Sequence, residues 1–201
     1  PKSKNHKIVI SLAPADLKKD GPLFDLPMAL GYLLASEEIL FNPKGKLFAG
    51  ELSLDGSVRP VRGILLVAQA ALREGFTEIY VPNENRAEAA LVVGISVYGV
   101  SSLTEIIKHL DETREDHKKI FPTPGTESSE MWAEGHVRLE DIKGQESAKR
   151  GLIIAAAGRH NVIMVGPPGT GKTMLARAFQ GMLPPLTREE ALEVTSIHSV
   201  A

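Results

Sequence analysis

The sequence predicts a protein of the α/β class that is built from two unlike parts. Short β-branched runs alternate with amphipathic stretches along the first half, a pattern typical of strands and helices in turn. Asp55-Gly56 lies between two apolar segments there and predicts a β-hairpin. In the second half a glycine-rich turn separates an apolar run from a helical pattern. We therefore expect an α+β domain over 1–111, a linker over 112–136 and the N-terminal part of an α/β domain over 137–201.

The composition excludes several classes of protein. The chain has 201 residues, a formal net charge of -2 and no cysteine, so it has neither a disulfide framework nor a thiolate zinc site. No secretory signal is recognisable and no apolar run is long enough to span a bilayer, so we expect no membrane contact. The chain begins with Pro1 and ends within a helical pattern, so we expect a piece of a longer protein.

The first domain has nine predicted elements. They are a strand at 8–12, helices at 25–36, 63–73, 84–92 and 103–110, and strands at 46–54, 57–61, 77–81 and 95–97. Asp25 is a candidate cap of the first helix, and Ser101 or Ser102 of the last. The linker is charged and then rich in Pro, Ser and Thr, which predicts partial disorder. Its Trp132 is expected to dock on the second domain or on a partner.

The second domain is predicted to begin with a helix that ends near Gly158. A buried parallel strand at 161–165 follows, and a helix from about Gly171 comes after it. Met174, Leu175, Ala178, Phe179 and Met182 have helical spacing in that helix. Thr187-Arg-Glu-Glu190 has the pattern of a capping box and predicts one more helix.

The turn between strand and helix fits G-x-x-x-x-G-K-[ST], the pattern of a phosphate-binding loop. Its residues are Gly166, Pro167, Pro168, Gly169, Thr170, Gly171, Lys172 and Thr173. The glycines allow the backbone to approach phosphates closely, and the helix N-terminus attracts negative charge. Lys172 can reach the β- and γ-phosphates, and the Thr173 hydroxyl can ligate Mg²⁺. A chance glycine-rich turn is the alternative, but the strand before and the helix after favour binding of ATP with Mg²⁺.

Residues 8–111 resemble the proteolytic domain of Lon proteases, whose fold is similar to the second domain of ribosomal protein S5. The resemblance rests on Lys19-Asp-Gly-Pro22, Gly50-Glu51, the Asp55-Gly56 hairpin, Arg59-Pro-Val61 and Val81-Pro-Asn-Glu-Asn85. In the Lon pattern a catalytic serine follows Asp-Gly-Pro, and a catalytic lysine lies on the helix after a Pro-x-Gly-Gly turn, which corresponds here to Pro60-Val-Arg-Gly63 and the predicted helix at 63–73. Here Leu23 and Leu65 fall on those positions, and a leucine is neither nucleophile nor base. The resemblance thus implies a Lon-like domain that is not a peptidase.

Residues from Val137 onward resemble AAA+ ATPases of the magnesium chelatase type. The residues that carry this resemblance are Asp141-Ile-Lys-Gly-Gln145, Ala155-Ala-Ala-Gly158, Gly166–Thr173 and Leu183-Pro-Pro-Leu186. A Lon-like domain before such an ATPase is the layout of the YifB/ComM family. The resemblance implies a cytoplasmic ATPase that forms a homo-hexameric ring and acts on DNA as a branch-migration motor. By analogy, Ile142 and Gly144 would lie beside the adenine of ATP.

No complete catalytic set is recognisable in the chain, because an acidic strand, a sensor residue and an arginine finger are missing. We expect this piece to bind ATP weakly or moderately and to hydrolyse it negligibly. Alternatives are a chelatase-type ATPase for metal insertion, an ATP-dependent protease, which Leu23 and Leu65 disfavour, and an assembly module.

His160 and His198 do not form a metal pair, and no aromatic-basic platform for nucleic acid stands out. Four arginines are expected to be solvated, with contact to a ring pore or to a neighbouring subunit as the alternative: Arg150, Arg159, Arg177 and Arg188.

Overall fold

The computed structural model describes residues 8–12, 21–125 and 137–200. The helices are α1 Asp25–Ala35, α2 Ile64–Arg73, α3 Arg86–Ala89, α4 Leu103–Leu110, α5 Glu146–Ala157, α6 Lys172–Gln180 and α7 Arg188–Val200. The strands are β1 Lys46–Phe48, β2 Glu51–Leu52, β3 Val58–Arg59, β4 Glu78–Pro82 and β5 Ser96–Val100. Short 3-10 helices span Pro22–Phe24, Asn83–Asn85 and Leu139–Asp141. The protein is therefore of the mixed α/β class. None of the helices in these ranges is long and apolar enough to cross a membrane.

The chain forms two compact units. The first contains residues up to Glu127 together with Leu192–Ala201, and the second contains Ser128–Ala191. Helix α7 therefore begins in the second unit, and its later turns belong to the first. The domain boundaries expected from the sequence remain a prediction.

A parallel sheet with the strand order β1-β4-β5 is the centre of the first unit. Leu47 pairs with Ile79, and Ile79 pairs with Val97. Side chains alternate across β4, so Ile79 and Val81 lie on one face and Tyr80 on the other. Residues of α2 and α3 pack on the first face, whereas residues of α1 and α4 pack on the second. Both faces of the sheet are therefore covered, as is typical of parallel strands.

The predicted hairpin at Asp55-Gly56 is confirmed. Strands β2 and β3 pair antiparallel, with Leu52 opposite Val58. Gly56 has φ of 83°, and its N–H donates to Ser53 O at 2.9 Å. The Asp55 carboxylate accepts hydrogen bonds from both the backbone and the hydroxyl of Ser57. An aspartate that binds the backbone two residues ahead, followed by a glycine at positive φ, fixes this turn locally.

Several predicted elements differ from those found. Residues 8–12 are not a strand, and Val9 is 76% exposed. The predicted strand at 46–54 is divided between two sheets as β1 and β2, and the helix predicted at 84–92 is reduced to one 3-10 turn and α3. Asp25 does not cap α1. Its carboxylate accepts from the Leu52 N–H at 3.3 Å, which ties the helix to the hairpin instead.

The first part of the predicted linker is packed rather than disordered. The Lys118 N–H donates to Lys108 O at 3.0 Å, and the Thr123 N–H donates to Val97 O at 2.7 Å. Ile120 packs against the core cluster around Tyr80. The segment is held because backbone hydrogen bonds and one apolar side chain attach it to α4 and β5. Trp132 lies outside the described residues.

The second unit has a small core between α5 and α6, made by Ile142, Leu152, Leu175 and Ala178. In α5 the side chains of Leu152, Ala155 and Ala156 are buried, whereas Met174 of α6 is 47% exposed. The capping box is also confirmed. The Thr187 N–H donates to Glu190 Oε2 at 2.8 Å, and the Glu190 N–H donates to Thr187 Oγ1 at 3.3 Å.

The prediction of a buried strand at 161–165 is wrong for the described residues. This segment has no strand pairing in the described ranges, and Ile163 and Val165 are each 90% exposed. Met164 is the residue that packs on the small core. The sequence has the composition of a central strand, but a strand is buried only where neighbouring strands pair with it on both sides.

Candidate functional site

The loop Gly166–Thr173 leads directly into α6, as its sequence pattern predicts. Gly169 has φ of 80°, and Gly171, the residue before the helix, has φ of 80° and ψ of 12°. These left-handed conformations favour glycine over residues that carry a Cβ. The backbone therefore turns twice within three residues and presents the first N–H groups of α6, which lack helical partners, at the loop. Such a helix start attracts an anion.

The Lys172 ammonium is folded back over this loop. It donates to the carbonyl oxygens of Gly166 at 2.8 Å and Pro167 at 2.7 Å, and its distance to Thr170 Oγ1 is 3.3 Å. The Thr170 hydroxyl donates in turn to Pro167 O at 2.9 Å. The cation and the loop backbone thus form one compact unit. Since carbonyl oxygens are neutral acceptors, a phosphate would compete well for the same ammonium.

Gln145 supports the loop from another part of the chain. Its side-chain amide donates to Thr170 O at 2.5 Å, although the two residues are 25 positions apart. Gln145 precedes α5 with φ of 60°, a left-handed conformation that is uncommon for a residue with a side chain. The strained position directs the amide at the loop. Sequence reasoning did not assign Gln145 to the site, because no local spacing connects it with Thr170.

A cavity of about 510 Å³ adjoins the loop. Its lining includes Gln145, Thr170 and Lys172 on the polar side and Val162 to Val165 on the apolar side. The cavity therefore combines a cation, an amide and an apolar wall.

The other predicted site residues have different surroundings. Ile142 is 5% exposed and packs with Leu152 and Leu175 in the small core, so its side chain is part of the support of α5 and α6. Gly144 is exposed with φ of 69°, and a Cβ there would meet no atom within 4 Å. Pro167, Pro168 and Thr173 are exposed on the loop.

The donor set for a metal is limited. In the described ranges no group of three or more His, Cys, Asp or Glu side chains could hold a metal ion. The exposed Thr173 hydroxyl is an oxygen ligand of the kind that Mg²⁺ accepts, but one hydroxyl is insufficient by itself. A magnesium ion would therefore be coordinated mainly by phosphate oxygens and water, with Thr173 as a ligand from this chain.

Leu23 and Leu65, which the Lon resemblance places at the serine and lysine positions, both contact the apolar core cluster of the first unit. Leu65 is 0% exposed, and Leu23 packs on the same cluster. The Leu65 N–H, in the first turn of α2, donates to Glu88 Oε1 at 3.1 Å, and the same carboxylate oxygen accepts from the Ser199 hydroxyl. A position that would need a polar, solvent-accessible nucleophile in a peptidase is here filled by aliphatic side chains.

Comparison with known proteins defines the class. The family model described as "Magnesium chelatase, subunit ChlI" matches residues 138–201, and the model described as "Subunit ChlI of Mg-chelatase" matches residues 2–85. The chain is thus a magnesium chelatase-like protein in both of its parts.

Relatives at higher similarity define the family. The chain is 41% identical to YifB of Escherichia coli over 195 residues, which are 96% of this chain and 37% of YifB. It is 40% identical to the competence protein ComM of Haemophilus influenzae over 197 residues, which are 96% of this chain and 38% of ComM. The chain belongs to the YifB/ComM family of magnesium chelatase-like proteins. It spans somewhat more than a third of the length of these relatives.

More distant relatives match about half of the chain. The DNA repair protein RadA of Streptococcus pneumoniae is 35% identical over 92 residues, which are 46% of this chain and 22% of RadA. Lon protease 2 of Bacillus subtilis is 29% identical over 98 residues, which are 48% of this chain and 18% of that protease.

Proposed function

We propose that this chain binds ATP with Mg²⁺ through Gly166–Thr173, and that the longer protein is an AAA+ ATPase that acts on DNA. The observation that supports ATP binding most directly is the Lys172 ammonium held over a loop in which Gly169 and Gly171 adopt left-handed conformations. A phosphate chain that enters this loop exchanges two carbonyl contacts of Lys172 for charge-assisted contacts to phosphate oxygens. The N–H groups at the start of α6 bind the same anion.

The neighbouring residues fit the rest of the nucleotide. Thr173 supplies a hydroxyl to the magnesium ion, which neutralises phosphate charge when it is bound. Gly144, with open backbone and no side chain, gives the adenine ring room, and Ile142 supports that edge from the core. Gln145 holds the loop through Thr170.

The exposed apolar segment 161–165 supports the proposal that this chain contains only part of an ATPase domain. Ile163 and Val165 are each 90% exposed, as expected for a strand that pairs with further strands in the longer protein. We propose that the Lon-like domain covers 1–111, the linker 112–136 and the first part of the AAA+ domain 137–201. The catalytic acid, the sensor and the arginine finger would then lie in the part of the longer protein that corresponds to the rest of the relatives' length. The chain alone should turn ATP over negligibly.

The proposed substrate of the longer protein is DNA, and the proposed assembly is a cytoplasmic homo-hexameric ring. Support for DNA as the substrate comes from the relatives: ComM is a competence protein and RadA a DNA repair protein. Leu23 and Leu65 in the apolar core support the absence of peptidase activity. The Lon-like domain then has no proteolytic role and functions as part of the DNA-acting ATPase.

Nucleotide binding is tested on the 201-residue chain by titration with a fluorescent ATP analogue in the presence and absence of Mg²⁺. Lys172→Ala should weaken binding about tenfold or more, since hydrogen bonds to charged groups are worth about 1.5–3 kcal/mol. Lys44→Ala removes an exposed lysine of the first unit and should leave binding unchanged. Equal affinity of the Lys172→Ala variant and the unmodified chain would refute the proposed site.

Action on DNA is tested with the full-length protein. Its ATPase rate is measured with and without branched DNA at two salt concentrations, and Lys172→Ala serves as the inactive control. Stimulation that weakens steeply with salt is expected, because phosphate contacts release counterions. ATPase activity that no DNA substrate stimulates would retain the ATPase assignment and remove the DNA assignment.

A further inference from the structure

A groove of about 580 Å³ lies between the start of α4 and the segment 118–121 of the first unit. Lys118, Lys119 and Phe121 line it from the segment, and Glu105 and Lys108 line it from α4. We name it the Phe121 groove. It is remote in sequence from the nucleotide loop, and the proposed function assigns it no role.

Phe121 is the unusual residue of this groove. Its side chain is 83% exposed, whereas its neighbour Ile120 packs against the core. The Ile120 N–H donates to His109 Nδ1 at 3.0 Å, and the Thr123 N–H donates to Val97 O at 2.7 Å. The backbone on both sides of Phe121 is therefore held, and the ring is presented to solvent on a fixed support. Among the described residues of the first unit, no packing contact requires an aromatic ring there.

The charge of the groove is predominantly positive. Three lysines face one carboxylate, Glu105, whose Oε2 already accepts the Ser101 N–H at 2.7 Å. Lys108 is paired with Asp116 at 3.1 Å. In the described part of the chain Lys118 and Lys119 make no ion pair, and both are exposed. Two cations therefore remain beside the exposed ring.

We propose that the Phe121 groove binds single-stranded nucleic acid, with one base stacked on Phe121 and the adjacent phosphates on Lys118 and Lys119. Stacking on an aromatic ring needs a base whose face is open, which a duplex does not offer. The cations beside the ring match the phosphates that flank a stacked base. An apolar peptide fits less well, because two exposed lysines would have to be desolvated without a counter-charge.

The proposal relies on the proposed action on DNA for the choice of ligand, but its test is separate. Binding of fluorescein-labelled oligo(dT) to the 201-residue chain is measured by fluorescence anisotropy without nucleotide. Phe121→Ala should weaken binding about tenfold, as stacking of one base is worth about 1–3 kcal/mol. Phe121→Trp should restore it. Leu54→Ala removes another highly exposed apolar side chain of the first unit and should have no effect.

The lysines are tested by salt dependence. Replacing both Lys118 and Lys119 by alanine should lower the slope of log affinity against log salt by about 1.4, or 0.7 for each phosphate contact. Lys44→Ala is the matched control. Oligo(rU) replaces oligo(dT) in a parallel series to distinguish RNA from DNA as the source of the strand.

Two results would overturn the proposal. The first is oligonucleotide binding that is absent or insensitive to Phe121→Ala, and the second is equally strong, Phe121-dependent binding of a blunt duplex or of an apolar peptide. Unchanged far-UV circular dichroism of each variant shows that the fold is retained. DNA stimulation of the full-length ATPase can persist in either case, so failure of this site and failure of the proposed function are distinguishable.

Discussion

The Tyr80 hydroxyl donates a 2.7 Å hydrogen bond to Glu78 Oε2, the same oxygen that receives the Lys46 ammonium at 2.7 Å. The Tyr80 ring is stacked between Phe48 and Tyr98, with centroid distances of 4.9 Å and 4.8 Å. Burial, and then the hydrogen bond to Glu78, raises the pKa of Tyr80 well above its usual range. Tyr80 is therefore fixed on both ring faces and at its hydroxyl, and it connects the edge strand β1 with the centre of the sheet.

Tyr80→Phe should lower the free energy of unfolding by about 1–2 kcal/mol, because a hydrogen bond to a carboxylate is lost while the stack is kept. Urea unfolding followed by near-UV circular dichroism measures the change. Tyr98→Phe is the matched control, since within the described residues the Tyr98 hydroxyl has no hydrogen-bond partner. Equal destabilisation by the two variants would contradict the role of Glu78.

His109 makes the same region sensitive to acid. Its Nδ1 accepts the Ile120 N–H at 3.0 Å, and its Nε2 lies 3.1 Å from the Tyr80 hydroxyl oxygen. Nδ1 must be unprotonated to accept, so this contact favours the neutral ring. Burial lowers the pKa of His109 below its usual value of 6.5, although the charge of Glu78 opposes this effect.

The sign of the pH dependence follows from that direction. Below about pH 6.5 the unfolded chain takes up a proton at His109 before the folded chain does, so stability is lost as the pH falls through this window toward the lowered pKa. The free energy of unfolding should therefore decrease between pH 7 and pH 5. In His109→Gln this decrease should be smaller, whatever the absolute stability of the variant. Parallel pH profiles of variant and unmodified chain would contradict the assignment.

Local signals explain which parts of this fold could be predicted from the sequence. The Asp55-Gly56 hairpin and the capping box Thr187–Glu190 are each specified within four residues. Helix α4 has the predicted bounds Leu103–Leu110, and Ser102 Oγ accepts the Glu105 N–H at 3.2 Å as its cap. Such elements are encoded by backbone conformation and by side chains that bind nearby backbone groups.

Features that depend on distant partners could not be predicted in the same way. The apolar run 161–165 indicated a buried strand, but pairing depends on segments elsewhere in the chain. The contact of Gln145 with Thr170 joins residues 25 positions apart. The Lys118–Phe121 stretch was expected to be part of a loose linker, and its attachment to α4 and β5 sets the outward direction of Phe121. Sequence spacing contains none of these tertiary contacts.

Leu65→Lys places a lysine at the position that the Lon resemblance assigns to the catalytic base. Leu65 is 0% exposed in an apolar cluster, so the new ammonium would be desolvated without a partner and the variant should lose at least about 3 kcal/mol of stability. Leu66→Lys is the adjacent control, because Leu66 is 42% exposed and a lysine there can reach water. Urea unfolding compares the two.

The double variant Leu23→Ser, Leu65→Lys should show no peptidase activity on an unfolded protein substrate such as casein. Leu65 is fully buried in the cluster on which the partly buried Leu23 packs, and a nucleophile needs both a base in reach and access for the peptide. A stable, proteolytically active double variant would show that the lost activity depends on these two side chains alone, contrary to the packing described above.

Gln145→Ala tests whether the loop is preorganised from outside its own sequence. The variant removes the amide that donates to Thr170 O at 2.5 Å but leaves every residue of Gly166–Thr173 in place. A loop that must be ordered on binding binds more weakly, so affinity for the fluorescent ATP analogue should fall severalfold, and less than for Lys172→Ala. The same variant should lower the heteronuclear ¹H–¹⁵N NOE of the loop amides in the free chain, since one tertiary restraint is lost and the loop becomes more mobile. Glu146→Ala is the matched control. It changes the residue next to Gln145 and removes the ion-pair partner of Lys149, and it should change neither the nucleotide affinity nor the mobility of the loop. If Gln145→Ala weakened nucleotide binding without lowering these NOE values, the amide would be a direct nucleotide contact rather than a support of the loop.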